Sequence, residues 1–346
     1  MTRSPRFPVV AIASICLVLA ACAAPIQSGS PGASASPSGP PLRHVRLLLG
    51  FQPDVQFAPF YLAQQAGYYA AVGLEVSIEY KSDADLVRLV ADGQAQFGVA
   101  DATDVMISRT AGIPVKYVAT LYDQFPVALI APAGAAWWPT GTSTASLAGK
   151  TIGTPGKYGS SWHALLAILA AGGLTANDVT IREYPQYNQA QGLLSGEVDL
   201  ITGFRNNEAL RLQAQGMQID MLTVEQIAPL PGPGVIAGDA LIGSDSALVK
   251  AFVGATVRAQ RAIATSPQVG LDAAVVAVPT IASDRATALA VLKATIELWR
   301  GGQTVPTGQI NTLVWASGYT TMRNLGFIDG SVPFSEMFSP AVTGTD

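Results

Sequence analysis

The chain has only two cysteines and two histidines among its 346 residues. Both cysteines, Cys16 and Cys22, stand near the N-terminus, so everything after them lacks a thiol for a disulfide or a thiolate metal site. His44 and His163 are the only imidazoles, too few soft ligands for a transition-metal centre. Charge is scarce as well: Asp, Glu, Lys and Arg together make up 13%. No Lys/Arg cluster stands anywhere, which argues against nucleic acid as a partner. Beyond the N-terminus there is no apolar run of the roughly 20 residues that a bilayer span needs. What the chain has instead is core-forming material, 49% hydrophobic residues. Beyond the N-terminal segments roughly 300 residues remain, enough for two lobes of ordinary domain size.

Arg3 and Arg6 precede an apolar run over residues 9–20, closed by Leu19-Ala20-Ala21-Cys22. Positive charge, a short apolar core and small residues before a cleavage point are the layout of an export signal. The Leu-Ala-Ala-Cys ending resembles a bacterial lipoprotein processing site, which implies cleavage before Cys22 and lipidation of its thiol. Residues 23–42, mostly Ser, Gly, Pro and Ala, bury no core and read as a flexible tether. Removing 1–21 takes Arg3 and Arg6 away and moves the formal charge from −4 to −6. The remainder is expected to work outside the cytoplasmic membrane while anchored to it.

Order begins at residues 43–49, a β-type run. The pattern predicts a helix over 59–71, a strand over 75–80, a helix over 83–92 and a short buried strand over 97–100. Further strands are predicted at 115–120, 151–154, 179–184 and 199–202. This alternation argues for parallel sheets covered by helices. From Ser246 the pattern turns helical: 247–264, a stretch after Gln268, 285–300 and 309–316. Residues 89–99 and 191–201 echo each other as helix end, glycine turn (Gly93, Gly196) and buried strand, with a further glycine later in each (Gly112, Gly216). The echo reads either as punctuation common to α/β chains or as two similar lobes.

In such sheets ligands lie in the crevice beyond the carboxyl ends of the strands, and four strand-to-helix loops carry candidate chemistry. In the first, Phe51 and Phe57 can sandwich a flat ring while Gln52 or Gln56 reads its edge; the alternative is that the phenylalanines are core. In the second, Asp101 follows a buried strand, where it or Thr103 can cap the next helix. In the third, Tyr158, Ser160, Ser161 and Trp162 stand where glycines allow close approach and a helix start offers free N–H donors. It is not a nucleotide P-loop, since the Gly-x-x-x-x-Gly-Lys-Ser/Thr order is missing. The fourth is composite, with Tyr187 and Asn188 in one segment and Asn207 and Glu208 in another. Glu208 can accept two hydrogen bonds from an amino-heterocycle or simply favour a helix dipole. Ser161 and His163 do not make a hydrolase: two residues apart at a helix start they cannot align, and no Gly-x-Ser-x-Gly surrounds the serine.

Phe51-Gln52-Pro53, then Phe60-Tyr61-Leu62-Ala63 through Gly67-Tyr68-Tyr69, then Gly73-Leu74-Glu75-Val76, resemble the NMT1/THI5-like family. Similarity continues through Gly112-Ile113-Pro114-Val115, Leu147-Ala148-Gly149-Lys150 and Leu194-Ser195-Gly196-Glu197. The family includes binding components of ABC importers and thiamine-pyrimidine synthases. The resemblance implies a periplasmic-binding-protein-like bilobal clamp of type II, with two parallel-rich sheets flanked by helices and two crossovers, near residues 124–131 and 233–239. Lobe I would hold 43–125 and 239–346, and lobe II 126–238. A synthase needs a lysine for pyridoxal phosphate and a histidine four residues on; here those positions are Ala100 and Asp104, so no Schiff base can form, and neither cofactor nor metal is expected. The resemblance implies a monomeric binding lipoprotein that captures a thiamine pyrimidine or riboflavin and delivers it to permease and ATPase subunits. A sensing lipoprotein without a transporter, or a sulfonate or nitrate binder, is the alternative. Aromatic loops with Glu208, and no arginine in the four loops except Arg205, favour a neutral flat ring over a small anion.

The N-terminal motif generates one test. Cys22→Ser is expected to shift the protein from the membrane fraction to the soluble one with its ligand affinity intact, and unchanged membrane partition would refute lipidation at this residue.

Overall fold

The computed structural model describes residues 41–81 and 83–341; Cys22 and the export signal lie outside the described residues. The chain starts with β1 (Arg43–Leu49), α1 (Ala58–Gln65), α2 (Tyr68–Ala71), β2 (Leu74–Tyr80), α3 (Asp83–Ala91), β3 (Phe97–Ala100), α4 (Ala102–Thr110) and β4 (Val115–Thr120). It continues through β5 (Val127–Pro132), β6 (Thr151–Thr154), α5 (Gly159–Ala171), β7 (Thr180–Glu183), α6 (Gln189–Leu194), β8 (Leu200–Phe204), α7 (Glu208–Ala214) and β9 (Ile219–Thr223). Then come β10 (Gly234–Gly238), α8 (Asp239–Ser244), α9 (Ser246–Thr265), α10 (Pro267–Ala277), α11 (Arg285–Arg300) and α12 (Thr312–Asn324).

Two five-stranded sheets result, ordered β2-β1-β3-β10-β4 and β7-β6-β8-β5-β9. Their plans match place for place. In each, four strands run the same way and the one in fourth place runs antiparallel to both its neighbours. That fourth strand is the one delivered by a crossover: β5 arrives from the first lobe and β10 returns from the second. The sheets are therefore mixed rather than wholly parallel, because each crossing strand enters from the end where its neighbours finish. Gly234–Gly238, assigned by sequence to the second lobe, pairs with β3 and β4 and so belongs to the first. The outgoing and returning segments also bond to each other, with the N–H groups of Leu121 and Tyr122 donating to the Pro233 carbonyl at 3.2 and 3.0 Å.

The internal echo is architectural. Gly93 and Gly196 take φ values of 72° and 74°, turning α3 into β3 and α6 into β8, which hold the third place in their sheets. Only a residue without a Cβ adopts this conformation at no steric cost. Gly67, at φ 70°, splits the expected 59–71 helix into α1 and α2. The last helix starts at Thr312 rather than 309, because the Asn311 side chain accepts from the N–H of Leu313 and caps it.

Both faces of the first sheet are covered, as the consecutive buried Leu47, Leu48 and Leu49 of β1 require. Val45, Leu47 and Leu49 face a core shared with α1, α2, α9, α10 and α11, while Leu48 faces the α3, α4 and α12 side. Phe252 of α9 is sandwiched between Tyr69 and Phe97 at 5.3 and 4.0 Å. The late helices thus complete the first lobe. The second sheet has its own two faces, one against α5 and one against α6 and α7.

Glycine is demanded at Gly234, at the start of the returning strand, where a Cβ would overlap the Tyr117 ring and the Ala119 carbonyl oxygen. Tyr117 is fully buried and donates to the Gly232 carbonyl, so it has no room to yield. Gly234→Ala should cost roughly 1–3 kcal/mol by overpacking and lower the melting temperature; an unchanged transition would show that β10 is not held this tightly.

Candidate functional site

Parallel strands in each lobe end facing a cleft of ≈ 840 Å³ of atom-free space, part of it open to solvent. From the first lobe come Phe51, Gln56 and Phe57 after β1, Asp101 after β3 and Tyr122 after β4. The second lobe supplies Tyr158, Ser160 and Ser161 after β6, Tyr187 after β7, and Phe204, Asn207 and Glu208 after β8.

Most sequence-predicted residues therefore converge, but three do not. Gln52 and Asn188 are exposed beside the cleft rather than in its wall. Trp162 turns away and packs against the second-lobe core with Leu165 and Ile168, because one helical step from Ser161 carries it to another face. Phe57 lines the cleft and also packs on the first-lobe core. Sequence reading missed Tyr122, Gln189 and Phe204; the signal available for Tyr122 and Phe204 was their place at strand ends.

The polar groups are held by bonds that cross between lobes. Gln56 Oε1 accepts from Asn206 Nδ2 at 2.8 Å and from Tyr122 Oη at 3.3 Å, which orients the amide and leaves Nε2 as its donor. Asn206 Nδ2 also donates to Thr295 of α11 at 2.7 Å. Arg211 of α7 donates to the buried Asp54 at 2.6 Å. Burial raises the Asp54 pKa, and the Arg211 charge opposes that rise. Arg205, the one arginine in the candidate loops, is engaged by Gln124 and Glu225 at 2.9 and 3.0 Å and stands outside the lining.

Asp101 corrects a sequence expectation. It occupies the N-cap position of α4 but makes no side-chain bond to that helix. Its Oδ2 instead accepts from the Ser160 N–H, at the start of α5 in the other lobe, at 2.9 Å. Burial raises its pKa and the bonds from Ser160 lower it. Thr103 likewise reaches across, its hydroxyl 2.9 Å from His163 Nδ1. Burial holds the His163 pKa down to about 4, leaving a neutral imidazole that packs on Phe327 and serves no nucleophile.

At the cleft, Phe51 and Tyr187 meet edge to face, with ring centroids 4.8 Å apart. Both sit at positive φ, 73° and 56°, a conformation that costs a side-chain-bearing residue energy and persists where surroundings impose it, often at ligand sites. Glu208 starts α7, and its Oε2 accepts from the Phe204 N–H at 2.7 Å. Burial pushes its pKa up to about 7, against the lowering effect of that bond. Among the described residues, the lining holds the carboxyls of Asp101 and Glu208 and no Lys, Arg or His. Six aromatic side chains share it: Phe51, Phe57, Tyr122, Tyr158, Tyr187 and Phe204.

Comparison with known proteins adds the following. The NMT1/THI5 like family model matches residues 54–269. The riboflavin-binding protein RibY of Chloroflexus aurantiacus is 31% identical over 335 residues, covering 94% of each chain. A 4-amino-5-hydroxymethyl-2-methylpyrimidine phosphate synthase of Legionella pneumophila is 27% identical over 187 residues, 54% of this chain and 57% of that one. Among solved structures, the alkanesulfonate-binding protein SsuA of Xanthomonas axonopodis pv. citri, bound to MOPS, superposes with a TM-score of 0.68 at 15% identity, over 87% of this chain and all of that one. This last likeness concerns the fold.

The buried Glu208 carboxyl yields a pH-dependent prediction. With a folded pKa of about 7 against an ordinary 4.5, its contribution to stability is complete below pH 4.5. It fades as the unfolded chain ionises first and is gone above pH 7, a loss of roughly 3 kcal/mol. Glu208→Gln has no such titration. The melting temperature of the variant relative to wild type should therefore rise between pH 5 and pH 8, and a difference that is flat with pH would mean that the carboxyl is solvated.

Proposed function

The chain belongs to the NMT1/THI5-like family, and from that premise we propose that it is the substrate-binding component of an ABC importer, capturing riboflavin between its two lobes. The observation that carries this reading is the lining of the cleft: six aromatic side chains, two carboxyls and no cation. Aromatic faces stack a flat ring. Carboxyl and amide groups read N–H and carbonyl positions along its edge. An anion would meet two carboxyls and no guanidinium, which disfavours a sulfonate or nitrate despite the shared fold. A riboflavin-binding relative alignable over nearly the whole chain supports the choice of ligand, and a thiamine pyrimidine is the smaller ring to test beside it.

Glu208 suits a ring carrying both donors and acceptors. Its pKa near 7 lets it accept from a ring N–H when ionised or donate to a ring carbonyl when protonated. No catalytic step is assigned. Ala100 lines the cleft; the family resemblance matches this position to the lysine of the synthase branch, and a methyl group forms no Schiff base. Lipidation of Cys22 would keep such a protein near its permease, and the 23–42 tether would give it reach.

Riboflavin and the thiamine pyrimidine, each titrated calorimetrically into wild type, Phe57→Ala and Tyr187→Ala, test the reading. Wild type should bind riboflavin the more tightly. Losing one stacking face should weaken binding about tenfold, on the order of 1 kcal/mol or more. No heat with either ring would refute the ligand assignment.

A further inference from the structure

The start of α5 opens onto the cleft, with Gly159, Ser160 and Ser161 in its wall. Its N-cap residue, Tyr158, makes no side-chain cap bond. The first N–H groups of a helix lack intrahelical partners and carry the positive end of its dipole, so such a position draws an anion. Here the chain itself supplies one. Asp101 reaches over from the opposite lobe to the Ser160 N–H at 2.9 Å, leaving its own helix without a side-chain cap. With no cation among the described lining residues, the helix start is what holds this carboxyl. A second observation agrees. Oε1 of Gln189, in the same wall, is buried with no hydrogen-bond partner. This unpaired group is an acceptor, which calls for a hydrogen-bond donor rather than for an anion.

We propose that Asp101 is a built-in anion that sets the specificity of the cleft: its carboxyl fills the place at α5 that an anionic ligand would take, reserving the cleft for uncharged rings with N–H donors. The proposal rests on the reading of this cleft as the ligand site. It assigns to one residue a difference between this cleft and one of the same fold that accepts anions. The bond also joins the lobes, so the seat is filled only while they face each other as they do here.

Two substitutions separate occupancy from charge. Asp101→Ser retains a residue suited to the N-cap of α4 but is too short to reach α5. Asp101→Asn keeps the reach and an oxygen for the Ser160 N–H while losing the charge. Wild type and both variants of the full chain, their folding checked by circular dichroism, are titrated calorimetrically with sulfate, methanesulfonate and riboflavin. Asp101→Ser is expected to bind methanesulfonate at least about tenfold more tightly than wild type, and Asp101→Asn is not. Should the serine variant fail to fold, Asp101→Ala carries the same expectation. No gain in the shortened variant overturns the proposal, and so does an equal gain in Asp101→Asn, because lost charge alone would then account for it. The riboflavin arm keeps the two readings apart. Anion gain in Asp101→Ser with no riboflavin bound by wild type upholds the proposal and removes the vitamin; riboflavin bound by wild type with no anion gain does the reverse.

Discussion

Each sheet of this protein is completed by a strand that comes from beyond its own lobe, and the cleft follows from that constraint. β5 and β10 occupy the fourth place in sheets of matching order, and both run against their neighbours. To do so each must enter where the parallel strands end. Gly234 therefore lies opposite Ala100, and Val127 opposite Phe204, so both crossings pass the rim at which the functional loops emerge. Neither lobe can slide away from the other without breaking a sheet. The short segments between the lobes are joined to each other, with Leu121 and Tyr122 bonded to Pro233.

Within that frame, polar groups at the cleft are satisfied chiefly by partners across it. Gln56 is held by Asn206, Asp54 by Arg211, Ser160 by Asp101 and Thr103 by His163. A buried polar group without a partner costs about 1–3 kcal/mol, so these bonds favour the arrangement in which the lobes face each other. Phe51 and Tyr187, both in left-handed conformations and in ring contact, show that the wall also stores strain. Both residues line the candidate cleft.

Much of the site was legible because strand-end loops announce themselves. Phe51, Gln56, Phe57, Ser160, Ser161 and Glu208 stand in loops that combine glycine, aromatics and amides before a helix, and the parallel-sheet rule places such loops at one rim. Trp162 failed because a one-residue step on a helix turns a side chain by about 100°, and its neighbours make that direction core. Gln189 was missed because nothing in its immediate sequence marks it; it lines the cleft through the path of the chain around it.

The sequence by itself determined the alternation of strands and helices, the glycine turns that open β3 and β8, the lack of thiols beyond Cys22 and the apolar faces that make late helices such as α9 complete the first lobe. These are local or periodic properties, carried by a few residues and their spacing. Only the tertiary structure decided which carboxyl meets which helix. Asp101 reads as the cap of α4, its neighbour in sequence, yet it bonds to Ser160, 59 residues away. What decides between the two is the position of the second lobe, which brings the start of α5 and its Ser160 N–H within reach of the carboxyl.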